Sequence, residues 1–260
     1  VRGYVLSLRK ADAEMIQVWA HRGASGYAPE NTLDAFRKAI EMGADGIELD
    51  VQLTKDGTVV VIHDEVIERV SDGSGLVQDY TYEELKKFNF NRTHPEYEHE
   101  QIPTLEEVYQ LIRPTGLVIN VEMKTSNIFY EDMEDKVLEL TERYGMTDRV
   151  IISSFNHYTV RSMKEKCPQI KTGALYSDGT IDVVDYVADV VKADAMHPGW
   201  TKLFYPNYLA DCRRRKMAVH VWTVNREEDM RRCCEMGLDA IITNYPDVAK
   251  RVVEEYLAEK

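Results

Sequence analysis

The sequence predicts an α/β protein of the TIM (β/α)8 barrel type, with a small insertion after the second barrel strand. Two observations carry this. Eight short apolar runs alternate with eight longer helical patterns, the order that builds a parallel barrel. The chain's 260 residues also suit a single such barrel, which takes about 250. We therefore expect one catalytic domain over residues 1–260, carrying an inserted segment at 65–103.

Taken in order, the strands are expected at Gln17–Ala20, Gly46–Val51, Leu117–Glu122, Val150–Ser153, Thr172–Leu175, Ala193–Met196, Ala218–Trp222 and Ala240–Thr243. Each is short, and several are nearly continuous in apolar and β-branched residues, as strands covered on both faces must be. Helical patterns fall between them, at Thr32–Met42, Thr104–Ile112, Tyr130–Tyr144, His157–Lys166, Ile181–Val191, Tyr208–Arg215, Glu227–Met236 and Asp247–Leu257. The first shows its own punctuation: Asn31 or Thr32 can cap the start, and Gly43 ends the run.

One segment departs from the alternation. Lys55-Asp56-Gly57-Thr58 stands between two apolar runs, and Asp-Gly in that setting signals a hairpin. The second strand is expected to overrun the barrel top and return through Val59–Ile62, delivering His63 to the end that carries Glu48 and Asp50. From Glu65 to Pro103 the chain is polar and turn-rich, too long for a plain βα connection, and is read as an excursion over the active face.

Bulk properties exclude several classes. A net charge of −13 argues against nucleic-acid partners, which need a basic patch, and against stable association with anionic membranes. No apolar run approaches the ~18 residues of a membrane-crossing helix. Cys167, Cys212, Cys233 and Cys234 show no C-x-x-C spacing and read as free thiols. Val1–Met15 lacks the apolar centre of a signal peptide, so a cytoplasmic location is expected, although the chain starts at Val1 rather than Met.

The chemistry concentrates between residues 21 and 64. His21-Arg22-Gly23 follows the apolar Val18-Trp19-Ala20, and His63-Asp64 follows Val59–Ile62. Two imidazoles at the carboxyl-end face of a barrel can exchange protons near neutral pH, and Arg22 offers a planar fork for a phosphate. Glu48 and Asp50 lie two apart on a strand and share a face, and Glu122 and Lys124 repeat the spacing on a later strand. Three like charges at neighbouring strand tops require a cation, and all-oxygen ligands suit Mg²⁺ or Ca²⁺ better than zinc. Trp222, ending the seventh barrel strand, can offer a flat platform to the carbon face of a polyol. Such residues suit the hydrolysis of a phosphodiester. His197 closes a strand and can line the pocket, whereas His94 and His99 read as solvated, and His157 and His220 as structural.

These motifs resemble the glycerophosphodiester phosphodiesterase family, a phosphatidylinositol-phospholipase-C-like barrel. The resemblance is carried by His21-Arg22-Gly23, Pro29-Glu30-Asn31-Thr32, Glu48-Leu49-Asp50-Val51, Asp56-Gly57, His63-Asp64, Ile102-Pro103-Thr104-Leu105, Glu122-Met123-Lys124 and Val221-Trp222-Thr223-Val224-Asn225. It spans about Val18 to Val248. It implies hydrolysis of glycerophosphodiesters to glycerol 3-phosphate and an alcohol, with one divalent cation. It makes His21 and His63 the acid–base pair, Glu48, Asp50 and Glu122 the metal ligands, Arg22 and Lys124 phosphate-binding, and Glu30 a further pocket residue. The chain departs from the pattern at Asn244, where relatives often carry Asp; this is expected to alter contacts behind the reacting groups. Two rival functions are a lysophospholipase D activity, which needs an apolar groove, and a barrel that binds phosphodiesters without turnover, which predicts a lost histidine or ligand.

Overall fold

A computed structural model describes residues 16–260; the Val1–Met15 segment lies outside the described residues. The strands in chain order are β1 (Gln17–His21), β2 (Gly46–Leu53), β3 (Val59–Val61), β4 (Val118–Met123) and β5 (Val150–Ser154). They continue as β6 (Lys171–Tyr176), β7 (Ala195–Pro198), β8 (Ala218–Val221) and β9 (Ala240–Thr243). All except β3 pair in parallel with their sequence neighbours, and β1 closes on both β2 and β9. This is the closed eight-stranded barrel that the alternation implies. The helices between are α1 (Leu33–Glu41), α2 (Tyr82–Leu85), α3 (Leu105–Ile112), α4 (Met133–Arg143) and α5 (His157–Lys166). They continue as α6 (Val183–Tyr186, running into a π-helical turn at Val187–Val191), α7 (Tyr208–Arg215), α8 (Glu227–Met236) and α9 (Pro246–Ala258). Among the described residues no helix is long and apolar enough to cross a membrane.

The Asp56-Gly57 turn behaves as expected. Gly57 takes φ +76°, a left-handed conformation that costs glycine little, and β3 runs antiparallel to β2 with Val61 opposite Val51. Ile62 N–H then donates to the Asp50 carbonyl at 2.9 Å, and the Gln52 side chain donates to the His63 carbonyl at 3.0 Å. Those two bonds fix His63 beside the end of β2.

The segment 65–103 is more ordered than its polar composition suggests. Ile67, Val70, Val77, Leu85, Phe90 and Ile102 form a small apolar core with Val60 and Ile62. All four cysteines are free and buried.

Pleating divides each barrel strand between two tasks. Ile47, Leu49 and Val51 of β2 pack outward into one core with Phe36, Leu105 and Ile112 of the helices. The inward positions fill the barrel. Trp19 occupies its lower half, opposite Gly46, where a Cβ would come within 2.8 Å of the indole. Beside it lie His220, 4.4 Å from the Trp19 ring, and His197, whose Nε2 is 2.9 Å from His220 Nδ1. Gly173 makes room for His197: a Cβ there would meet Nε2 at 2.2 Å. His197 is thus packed into the core and does not line the pocket as the sequence suggested.

Burial pushes both imidazoles towards the neutral form, His220 down to about 3 and His197 well below its ordinary value. An unfolded chain would protonate both near pH 6.5, so their neutral burial contributes full stability above that pH. The contribution is lost as pH falls from 6.5 towards the folded-state values, by about 1.4 kcal/mol per pH unit for each histidine. We expect urea denaturation midpoints to fall between pH 6.5 and 4.5, and His220→Gln to flatten that slope. An unchanged slope in the variant would place the acid sensitivity elsewhere.

Candidate functional site

Three inward positions on adjacent strands define the centre of the site. Glu48 and Asp50 project from β2, and Glu122 sits on β4 directly beside Asp50 in the register. One oxygen from each lies within 4.8 Å of the others, and all three side chains are buried. Unit charges at that range repel by roughly 3–4 kcal/mol per pair at an effective dielectric of about 20. The strain shows in their proton affinities. Burial, then the neighbouring carboxylates, hold the Glu48 carboxyl well above its ordinary value, and burial followed by Asp50 raises Glu122. Asp50 goes the other way: burial alone would raise it, but Arg22, His63, Lys124 and a bond from Asn31 bring it down to about 2. Asp50 Oδ1 is buried without a hydrogen-bond partner. An all-oxygen triad with an unpartnered buried oxygen has the donor chemistry of a hard divalent cation site.

Two cations stand over this cluster. Arg22 and Gly23 both adopt left-handed backbone, with φ of +55° and +78°. A Cβ on Gly23 would come within 2.7 Å of Ala35, so this turn requires glycine. The turn directs the Arg22 N–H to Glu48 Oε2 at 2.9 Å and its Nη1 to Glu30 Oε1 at 2.9 Å. Arg22 Nε lies 3.3 Å from Asp50 Oδ2 but makes no hydrogen bond, which leaves a buried N–H donor available. Lys124 Nζ donates to Glu122 Oε1 at 2.8 Å and stands 3.8 Å from Asp50 Oδ1.

The two histidines line the same cavity with different supports. His21 Nδ1 is 2.7 Å from Asn244 Oδ1, which accepts only if Nδ1 carries the proton; its Nε2 is 4.0 Å from Glu48 Oε2. Burial, then the Arg22 charge, hold His21 down to about 4. His63 Nδ1 is 2.5 Å from Asp64 Oδ1, and its Nε2 is 3.2 Å from Lys124 Nζ. An ammonium can only donate, so His63 Nε2 presents its lone pair.

Between these walls lies a cavity of about 280 Å³. His21, Arg22, Glu48, His63 and Glu122 line its polar side, and Phe155, Leu175, Trp222 and Ile242 its apolar side. Trp222 is edge-on to Phe155 at 5.7 Å and anchored by its indole N–H to the His197 carbonyl at 2.8 Å. Asp50, Lys124 and Glu30 stand behind the lining. Glu30, expected as a pocket residue, has its carboxylate engaged by both Arg22 and Arg69. A larger surface cleft of about 460 Å³ lies between the segments after β6 and β7 and contains none of the expected site residues.

Three contributors escaped the sequence. Phe155 follows β5 with no motif around it. Asn31 is not the cap of α1, since Thr32 caps it by accepting from the Ala35 N–H; Asn31 instead donates to Asp50 Oδ2 at 3.0 Å. Arg69 lies in the polar insertion, where nothing distinguishes it from neighbouring charges.

Two cationic side chains, two imidazoles and a carboxylate cluster at the mouth of a TIM barrel suit a hydrolase for small phosphorylated substrates. Residues 21–248 match the glycerophosphoryl diester phosphodiesterase family, and the chain belongs to that family. It is 42% identical to a glycerophosphodiester phosphodiesterase of Caldanaerobacter subterraneus over 92% of this chain and 98% of that protein. It is 40% identical to one from Bacillus altitudinis, over 93% and 99% of the two chains. A phosphodiesterase of Oleispira antarctica, solved with the product sn-glycerol-3-phosphate, superposes with a TM-score of 0.83 at 30% identity, covering 92% of this chain and 97% of that one. The protein is therefore an enzyme, a hydrolase of phosphoric diesters.

Proposed function

We propose that this enzyme hydrolyses small glycerophosphodiesters to glycerol 3-phosphate and an alcohol, with His21 and His63 as acid and base. The observation that carries the reading is the divided cavity: an imidazole on each side of Arg22, Glu48 and Glu122, closed opposite by Phe155 and Trp222. Charge on one wall and flat apolar surface on the other match a phosphodiester joined to a glycerol carbon chain.

In this reading Arg22 supplies its remaining guanidinium donors to the phosphate oxygens, and Lys124 adds a second positive charge. Preorganised cations aimed at developing charge are commonly the larger part of such catalysis. His63 takes a proton at Nε2 from the nucleophile, either water itself or a glycerol hydroxyl whose cyclic phosphate water then opens, and Asp64 stabilises the imidazolium that results. His21, oriented by Asn244, gives a proton to the leaving alkoxide. Each transfer contributes about 10²–10⁴-fold. Trp222 and Phe155 hold the glycerol carbons. Glu48, Asp50 and Glu122 would hold one divalent cation, Mg²⁺ or Ca²⁺. When bound, it supplies Lewis-acid polarisation of a phosphoryl oxygen and offsets the mutual repulsion of its ligands.

Three outcomes follow. Extraction with a chelator should abolish activity, and Mg²⁺ or Ca²⁺ should restore it; full turnover in a verified metal-free preparation would remove the ion from the mechanism. His63→Ala should lower kcat by about 10²–10⁴-fold with an unchanged circular dichroism spectrum, and near-normal turnover would refute the base assignment. The cavity is at the small end of ligand pockets, which run from about 300 Å³ upwards. Glycerophosphocholine and glycerophosphoethanolamine should therefore show higher kcat/KM than lysophosphatidylcholine. A clear preference for the lysolipid in side-by-side kinetics would overturn the substrate class and leave the histidine roles standing.

A further inference from the structure

We propose that Arg69 is a positioning residue for the phosphodiesterase reaction, clamping the two carboxylates that orient His63 and Arg22; the inference rests on the catalytic reading above. Arg69 uses all three guanidinium nitrogens. Nε donates to Asp64 Oδ2 at 2.5 Å, while Nη1 and Nη2 donate to Glu30 Oε2 and Oε1, each at 2.8 Å. The opposite oxygen of Asp64 faces His63 Nδ1 at 2.5 Å, and Glu30 Oε1 also accepts from Arg22 Nη1 at 2.9 Å. A continuous chain results: His63, Asp64, Arg69, Glu30, Arg22.

Each link has a physical consequence. Asp64 can hold the His63 ring in one orientation only if its own rotation is stopped, and Arg69 pins its second oxygen. Glu30 competes with substrate for the Arg22 guanidinium. By engaging both Glu30 oxygens, Arg69 dilutes that competition and leaves the remaining Arg22 donors for a phosphate. The clamp is itself rigidly carried, since Ile67 and Val70 on either side are buried in the small core of the insertion, and Ser71 Oγ donates to the Ile67 carbonyl at 2.8 Å. The insertion thereby acquires a catalytic purpose. A lysine could not replace Arg69, because one ammonium cannot reproduce a fork spanning two carboxylates.

The test uses the full chain with divalent cation and glycerophosphocholine. Arg69→Ala should lower kcat by about 10²-fold, the scale of loss caused by a misplaced catalytic group, and raise KM several-fold as Glu30 turns fully to Arg22. Arg69→Lys should not restore either value. The Arg69 side chain is 43% exposed, so millimolar guanidinium ion should enter the gap and recover part of the kcat of Arg69→Ala. In an Asp64→Asn background, Arg69→Ala should change kcat little further, because the orientation it protects is already lost. Thermal melting and circular dichroism verify that each variant folds. Full kcat in Arg69→Ala, or a loss that adds in full to Asp64→Asn with no guanidinium response, would overturn the proposal and make Arg69 a surface ion pair. Wild-type enzyme inert towards every diester would instead overturn the catalytic reading, and this inference with it.

Discussion

The crowding of Glu48, Asp50 and Glu122 is the constraint around which the barrel mouth is organised. Three buried carboxylates within 4.8 Å of one another would be costly in any ordinary core, where buried charges persist only when paired. The surrounding sequence supplies the compensation piece by piece. The left-handed turn at Arg22-Gly23 brings a guanidinium and a backbone N–H to the cluster, Asn31 donates to Asp50, and Lys124 leans across Glu122. Even so, Asp50 Oδ1 remains unpartnered, and Glu48 and Glu122 stay pushed towards protonation. Such residual frustration is tolerated where function requires it.

The same constraint explains how the mouth is shared among the strands. β1, β2 and β4, with the β3 return, carry the charged groups, whereas β5, β6 and β8 and the residues just after them supply Phe155, Leu175 and Trp222. Below both halves, Trp19, His197 and His220 fill the barrel and form a floor. That floor is dense enough for Gly46 and Gly173 to be sterically required. A rigid floor matters because the site's bonds run between separate strands. Arg22 backbone N–H to Glu48, Asn31 to Asp50 and His21 to Asn244 each join groups carried by different barrel strands or the turns that follow them.

The barrel was legible in the sequence because its signals are local. Alternation of strand and helix patterns, the period of two through Glu48 and Asp50, and the Asp56-Gly57 turn all act over a few residues. Strand ends differ from expectation by only a residue or two at most sites. The features that escaped depend on residues distant in sequence. The irregular spacing of Ile67, Val70, Val77 and Phe90 conceals a small core inside a polar segment. Asn31 reads as a helix cap until Asp50 is placed beside it. Arg69 gains meaning only when Glu30, 39 positions away, meets Asp64. His197 and His220 each read as a lone strand histidine, and their pairing follows from the adjacency of β7 and β8.

The two histidines show how the oxygen set against a ring shapes its local electrostatics. Both place Nδ1 against an oxygen, but Asp64 is an anion and Asn244 a neutral carboxamide. A carboxylate stabilises the imidazolium that a base becomes, which is the part proposed for Asp64 beside His63. An aspartate at position 244 would add another negative charge 2.7 Å from His21, on a ring already 4.0 Å from Glu48. The carboxamide orients the ring and fixes its tautomer without adding that charge. With burial and Arg22 holding His21 near 4, its proposed role as proton donor calls for a phosphodiester anion beside Arg22 to favour the protonated form. In that reading His21 complements a base, His63, whose Nε2 presents its lone pair to Lys124.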